Sequence, residues 1–122
     1  AIVNLKVENV VIMGHRQCGG IRALVTGIDN PQPSFIAKWV SLAADAKKVV
    51  LKKYPGESPE ALCAYCELEA IRVSLRNLRT FPFVQTAIKE RSLSLIGAYF
   101  DIEEGRLLEL DETTDEFVDI GN

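Results

Sequence analysis

Residues 10–20 of this 122-residue chain have the sequence VVIMGHRQCGG, an apolar run followed by a histidine, a cysteine and two glycines. Residues 9–13 predict a short buried strand, because they are rich in β-branched side chains, carry no charge and end at Gly14. Gly14 permits a sharp turn where that strand ends. A short helix is expected at about 20–25, so the segment has the strand–turn–helix order of an open α/β sheet.

His15 and Cys18 are the candidate metal ligands in this turn. His15 is the only histidine of the chain, and imidazole nitrogen with thiolate sulfur is a pair that zinc prefers. We expect His15 at the carboxyl end of the strand, and Cys18 near a helix N-terminus that favours a negatively charged thiolate. Gly19 and Gly20 would let the backbone approach a ligand closely. Two ligands do not complete a tetrahedral site, and a structural cysteine beside a hydrogen-bonded histidine is the alternative interpretation.

Composition limits the class of protein. Hydrophobic residues make up 48% of the chain and charged residues 25%, which is ordinary for a globular domain. No apolar run approaches membrane-spanning length, so we expect no membrane partner. A net charge of −3 gives no reason to expect nucleic acid. Three cysteines are few and odd in number, which favours a reducing compartment, the cytoplasm, over a disulfide framework.

The two ends of the chain differ in character from its body. Residues 111–122 hold five acidic residues and no basic one, so we expect an acidic, solvated and partly frayed C-terminal tail. Residues 1–5 are apolar from the first position, with no helix cap or turn signal. We therefore interpret 1–122 as a single domain that is incomplete at its N-terminus.

The middle of the chain is predicted to be helical. Ser34 is a candidate N-cap for a helix that runs to about Lys53 and carries Trp39 on its apolar stripe. Ser58 and Pro59 predict the start of the next helix, with proline at its favoured first position. The buried stripe of that helix is expected to comprise Leu68, Ile71, Leu75 and Leu78.

The last third of the chain returns to strands. Pro82 starts a shorter helix to about Arg91, residues 93–100 form a strand, and residues 106–110 complete a hairpin with it. Glu67 is expected to pair along its helix with Arg72 or Arg76. One strand before the hairpin is few for a sheet flanked by helices. This imbalance predicts that further sequence or a partner chain supplies sheet and core.

The motifs, taken in order, resemble those of the β-class carbonic anhydrases. The matching stretches are residues 14–24 (GHRQCGGIRAL), Trp39, Glu67, residues 74–80 (SLRNLRT) with Pro82 and Val84, residues 95–102 (LIGAYFDI) and residues 105–107 (GRL). The resemblance implies an α/β fold with a parallel sheet core, flanking helices and a C-terminal antiparallel hairpin. It also implies that the N-terminal part of the fold is missing.

The resemblance implies a zinc enzyme. Such enzymes hold one Zn²⁺ with two cysteines and one histidine, and here His15 and Cys18 would be two of the three ligands. Gly19 and Gly20 would shape the site through their backbone. Zinc lowers the pKa of its bound water, and the resulting hydroxide attacks carbon dioxide to give bicarbonate and a proton. The family forms homodimers or higher homo-oligomers.

The chain departs from the family pattern at three places. The family's Cys-x-Asp-x-Arg motif precedes the histidine, but residues 1–14 contain no cysteine, aspartate or arginine. The third protein ligand and the Asp–Arg pair are therefore absent, and the catalytic residues remain unidentified. Ile96 stands where a histidine is common and Phe100 where a tyrosine is common, which would alter the pocket or its regulation by bicarbonate.

Three functional interpretations follow. The first is that carbon dioxide hydration belongs to a longer parent protein, with this chain alone inactive. The second is a short non-catalytic relative whose exposed sheet edge makes it an interaction domain. The third is a structural zinc site in which Cys63 and Cys66 join His15 and Cys18. We favour core positions for Cys63 and Cys66, because they lie in an amphipathic helix without a glycine-rich knuckle.

Overall fold

The computed structural model describes residues 1–27, 38 and 40–121. Within these residues one strand is followed by four helices and then by three strands. In chain order they are β1 (Asn9–His15), α1 (Gly19–Thr26), α2 (Ala44–Lys53), α3 (Pro59–Arg79), α4 (Pro82–Arg91), β2 (Ser94–Asp101), β3 (Arg106–Asp111) and β4 (Glu116–Asp119). The predicted α/β class is confirmed.

The strands form one mixed sheet in the order β1-β2-β3-β4. β1 is parallel to β2, in a register that starts at Asn9 and Ser94 and ends at His15 and Phe100. β3 and β4 then follow as antiparallel neighbours. The parallel part of the expected sheet core is therefore one strand pair, and the expected hairpin after β2 is present.

The expectation of a frayed acidic tail is wrong for residues 116–119, which form β4. Phe117 pairs in register with Leu110, and its ring meets that of Tyr99 edge-on at 6.4 Å between centroids. Burial of this aromatic ring outweighs the solvation of the acidic residues around it. The acidic C-terminal segment is thus in part an edge strand of the sheet.

The single helix expected from Ser34 to Lys53 is also wrong in its described part. Leu42 and Ala43 form a turn, in which the Ala43 N–H donates to the Val40 carbonyl at 3.0 Å. This i to i−3 bond interrupts the helical ladder, and α2 begins only at Ala44. The predicted cap Ser34 and the predicted core residue Trp39 lie outside the described residues.

The long helix α3 organises the core. The Ser58 side chain caps it by accepting from the Ala61 N–H at 3.2 Å, with Pro59 in the first turn, as predicted. Its sheet-facing residues pack against β2, β3 and β4; this cluster comprises Ile71, Leu75, Tyr99 and Leu110. Its opposite side packs against α2 in a cluster of Ala46, Val50, Cys66 and Val73. Among the described helices, none is long and apolar enough to cross a membrane.

Two glycines let α3 lie directly on the sheet. A β-carbon at Gly97 would lie 2.8 Å from Leu75 Cδ1, 3.0 Å from Ile71 Cγ2 and 3.3 Å from Leu110 Cβ. At Gly14 it would lie 2.9 Å from Ile71 Cδ1, 3.1 Å from Ile71 Cγ1 and 3.6 Å from the Glu67 carbonyl oxygen. Three side chains therefore crowd the position at Gly97, whereas only that of Ile71 crowds it at Gly14.

We expect Gly97→Ala to lower the free energy of unfolding by about 1–3 kcal/mol, because the added methyl overpacks this contact. Gly14→Ala should cost less, since the added methyl crowds one side chain, that of Ile71, and not three. Urea denaturation of both variants of the intact protein measures the difference. Equal losses at the two positions would contradict the packing argument.

Candidate functional site

His15 is the last residue of β1, at the carboxyl end of the strand as predicted. It belongs to the exposed row of the strand together with Val11 and Met13. Its Nδ1 lies 3.0 Å from the Arg16 carbonyl oxygen. Because a carbonyl only accepts, this bond places the proton on Nδ1 and leaves Nε2 free to bind a metal.

The turn after His15 places Cys18 at the N-cap of α1. The Arg16 N–H donates to the Phe100 carbonyl at 2.9 Å and so extends the sheet by one bond. Gln17 then adopts a left-handed conformation, with φ of 56°, which reverses the chain direction. Cys18 is the N-cap of α1, but its side chain makes no capping bond. Its thiol is free and half-buried, so its sulfur is not engaged in holding the fold.

The buried carboxylate of Glu67 bonds to the backbone of this turn. Glu67 on α3 is 4% exposed. Its Oε1 accepts from the Cys18 N–H at 3.0 Å, and its Oε2 accepts from the Tyr99 hydroxyl at 2.8 Å. Burial, together with the bond to Glu67, raises the pKa of Tyr99. Tyr99 therefore stays a hydrogen-bond donor to this carboxylate throughout the physiological range.

The expected pairing of Glu67 with Arg72 or Arg76 is wrong. The residue that pairs with both Arg72 and Arg76 is Glu69, at 3.4 Å and 3.5 Å. Glu67 lies at i−4 and i−8 from Ile71 and Leu75, the two stripe residues that face the sheet. A charged residue in phase with a buried stripe was the available signal that it points inward.

An ion pair between Arg16 and Asp101, the last residue of β2, also holds the turn. The Arg16 guanidinium donates to Asp101 Oδ2 at 2.9 Å and pairs with Glu103 at 2.8 Å. The other oxygen of Asp101 accepts from the Glu103 and Glu104 N–H groups and so stabilises the turn after β2. The turn that carries His15 and Cys18 is thus tied to β2 on one side and to α3 on the other.

Acid should weaken the ion pair between Arg16 and Asp101. Burial opposes the charge of Asp101, but bonds from the Glu104 N–H, the Arg16 guanidinium and the Glu103 N–H hold the pKa of Asp101 below its ordinary value. The ionised carboxylate therefore stabilises the fold above its unfolded pKa of about 3.9. That stabilisation is lost as the pH falls through the lower folded pKa.

We expect the wild type to be more stable than Asp101→Asn near neutral pH, with a difference that shrinks as the pH falls below about 4. Urea denaturation of both proteins across this pH range measures the difference. A gap that stayed constant with pH would show that ionised Asp101 does not stabilise the turn.

Cys63 and Cys66 do not complete a metal site with His15 and Cys18. Within residues 1–27, 38 and 40–121, no three histidine, cysteine, aspartate or glutamate side chains are placed to hold a metal. Cys66 is fully buried in the core, and burial is the main cause that raises its pKa to about 11. Burial also raises the pKa of Cys63. Both shifts disfavour the thiolate, the form of cysteine that binds a metal.

A cavity of about 600 Å³ lies between α1 and the first half of α3. Its lining comprises Arg16, Gln17, Cys18, Arg22, Thr26, Pro59, Glu60, Cys63, Ala64 and Glu67. Arg22 borders this cavity and is exposed. Cys18 lines this cavity, and His15 does not.

The candidate ligands suit zinc in type but not in number. A free imidazole Nε2 and an unengaged cysteine sulfur are both zinc donors. Protein zinc sites use at least three such donors, and the described residues supply two at this turn. At least one further ligand must therefore come from outside these residues if this turn binds zinc.

The chain matches a known protein family over most of its length. The carbonic anhydrase family model matches residues 1–107. The chain therefore belongs to the carbonic anhydrase family, and its structural neighbours are of the β class. Beta carbonic anhydrase 3 of Arabidopsis thaliana is 39% identical over 118 residues, which cover 93% of this chain and 46% of that protein.

Solved structures give the same result. The β-carbonic anhydrase CcaA superposes with a TM-score of 0.89 at 26% identity, covering 99% of this chain and 55% of that one. Two tetrameric β-carbonic anhydrases from Sordaria macrospora reach a TM-score of 0.74 at 25% identity, with 90% and 55% coverage. The resemblance inferred from the motifs is confirmed. The chain spans about half the length of these relatives.

Proposed function

We propose that the intact protein catalyses the reversible hydration of carbon dioxide to bicarbonate and a proton, and that it requires zinc. Family membership supports the reaction class. The observation that carries the zinc site is the turn at the end of β1, where the Nδ1 bond of His15 leaves Nε2 free and the Cys18 sulfur is unengaged. Bound zinc would supply hydroxide near neutral pH by lowering the pKa of a water molecule.

In this proposal His15 and Cys18 bind the metal, and the remaining ligand lies outside the described residues. Gly19 and Gly20 start α1 directly behind Cys18. A β-carbon at Gly19 would meet no atom within 4 Å, so open space adjoins the backbone there. This open space supports the proposed role of Gly19, which is to let the backbone approach a ligand closely; Gly20 is proposed to act in the same way. The residues that exchange the proton are not assigned.

The test combines three measurements on the intact protein. Its mass under denaturing conditions should exceed the 13.5 kDa of these residues, its zinc content should be about one per chain, and it should hydrate carbon dioxide in stopped-flow assays. Removal of zinc with a chelator should abolish the activity, and added zinc should restore it. An intact protein without zinc or hydration activity would favour the non-catalytic interaction domain instead.

We also propose that the protein is a homo-oligomer, a dimer or larger. The sheet face opposite the helices exposes Val11 (53%), Met13 (65%), Phe100 (37%) and Val118 (48%), and apolar faces of this kind mark contact surfaces. The tetrameric relatives from Sordaria macrospora support assembly. Light scattering after size exclusion should report a dimer or more, and Val118→Glu should shift the protein toward smaller species. A monomeric wild type would contradict the proposal.

The cytoplasm is the location we propose. Cys18, Cys63 and Cys66 are all free thiols, and free thiols persist in reducing compartments. Fractionation of cells that express the intact protein would test this, and recovery from an oxidising compartment would contradict it.

A further inference from the structure

Glu67 is a buried side chain that bonds to the ligand turn. It reaches from α3 to two other elements, the N-terminus of α1 through the Cys18 N–H and the strand β2 through the Tyr99 hydroxyl. The two bonds use different carboxylate oxygens, at 3.0 Å and 2.8 Å. Three elements distant in sequence therefore meet at one side chain.

Ion pairing does not account for this carboxylate. Burying a carboxylate is costly unless hydrogen bonds and charge partners compensate. Among the described residues Glu67 takes part in no ion pair, whereas Glu69, two positions along and similarly buried, is held by Arg72 and Arg76. Both oxygens of Glu67 are instead satisfied by neutral donors, one of which is the backbone of a candidate ligand.

We propose that Glu67 is a positioning residue, whose carboxylate fixes the backbone of Cys18 and so aims its sulfur at the metal. This inference rests on the proposed function, since it assumes that Cys18 is a ligand. The bond from the Cys18 N–H restrains the rotation of that backbone, and the direction of the side chain follows from it. Outer hydrogen bonds of this kind orient metal ligands and are needed for full metal affinity.

The same carboxylate also sets Cys18 relative to His15. Tyr99 is the register partner of Gly14, the residue before His15, on the neighbouring strand. Its hydroxyl restrains the carboxylate of Glu67, which in turn restrains Cys18. The distance between the two ligands thus depends on a chain of contacts from β1 through β2 and Glu67 to the start of α1.

The test compares three variants of the intact protein. Zinc affinity is measured by competition with a chromophoric chelator, and the thiolate-to-metal charge-transfer band is recorded with Co²⁺ in place of zinc. We expect Glu67→Ala to weaken zinc binding about 10- to 100-fold and to change the Co²⁺ band. Glu67→Gln should lose much less, because its amide can accept from the Cys18 N–H and donate to the Tyr99 oxygen.

Glu69→Gln is the matched control, since Glu69 lies on the same helix with similar burial and does not contact the turn. It should lower stability without changing zinc affinity or the Co²⁺ band. Hydrogen exchange gives a readout that needs no metal: the Cys18 amide of the zinc-free protein should exchange faster in Glu67→Ala only.

The outcomes separate this inference from the proposed function. A wild type that binds zinc, with Glu67→Ala binding equally well, would overturn the inference and leave the proposed function intact. Equal losses of affinity in Glu67→Ala and Glu69→Gln would also overturn it, because the effect would then be general destabilisation. A wild type that binds neither zinc nor Co²⁺ would overturn both.

Discussion

Replacing Cys18 with serine in the intact protein is expected to remove its zinc and to reduce carbon dioxide hydration to the uncatalysed rate. A serine hydroxyl is a far poorer zinc donor than a thiolate, and the site loses one of the two ligands that these residues offer. The fold should survive, because the Cys18 side chain makes no capping bond and the Glu67 contact uses its backbone. Metal analysis and stopped-flow assays on the same sample measure both effects.

Cys63→Ser provides the matched control for this experiment. Cys63 lines the same cavity as Cys18 and is likewise half-buried, so the chemical change and the surroundings are alike. We expect this variant to keep its zinc and its activity, because within the described part of the chain Cys63 belongs to no group of three metal-binding side chains. A Cys18→Ser protein with full zinc and full activity would show that this turn is not the metal site.

Leu75→Ala is expected to lower the free energy of unfolding by about 2–5 kcal/mol, the largest stability effect of any single truncation proposed for this chain. Leu75 is 1% exposed and packs in the cluster that joins α3 to the sheet. Its Cδ1 also lies against Gly97, which has no side chain of its own. Truncation of Leu75 should therefore leave a cavity between α3 and the sheet, and the cost grows with the volume of that cavity.

The control is the same substitution at Leu42, which is 71% exposed. Exposed truncations usually change stability by less than about 0.5 kcal/mol. Denaturant midpoints and slopes for both variants give the two values. A Leu75→Ala loss as small as that of Leu42→Ala would mean that α3 is not seated on the sheet as described.

Local patterns in the sequence predicted most of the described elements. Ser58 and Pro59 mark the start of α3, Pro82 marks the start of α4, and the apolar run that ends at Gly14 marks β1. These signals are local, because caps, proline and strand periodicity act through near neighbours. The boundaries moved by one or two residues, as with β1, which extends through His15.

The errors arose where a distant contact decides the structure. Glu67 bonds to residues 49 and 32 positions away, and no pattern along α3 names those partners. β4 forms because Phe117 packs against the ring of Tyr99 and pairs with Leu110 on β3, although the residues around Phe117 in the sequence are acidic. The sequence motif identified His15 and Cys18 as candidate ligands. The contacts that Glu67 and Tyr99 make behind them are seen only in the structure.

The pairing of β1 with β2 sets a time at which the ligand turn can form during synthesis. Arg16 and its partner Asp101 are 85 residues apart, and the chain grows at about 5–20 residues per second. The turn therefore exists without its strand partner for roughly 4–17 s after it is made. His15 and Cys18 leave the ribosome long before β2 can hold them, so metal loading should follow the completion of the sheet and not accompany the emergence of the ligands.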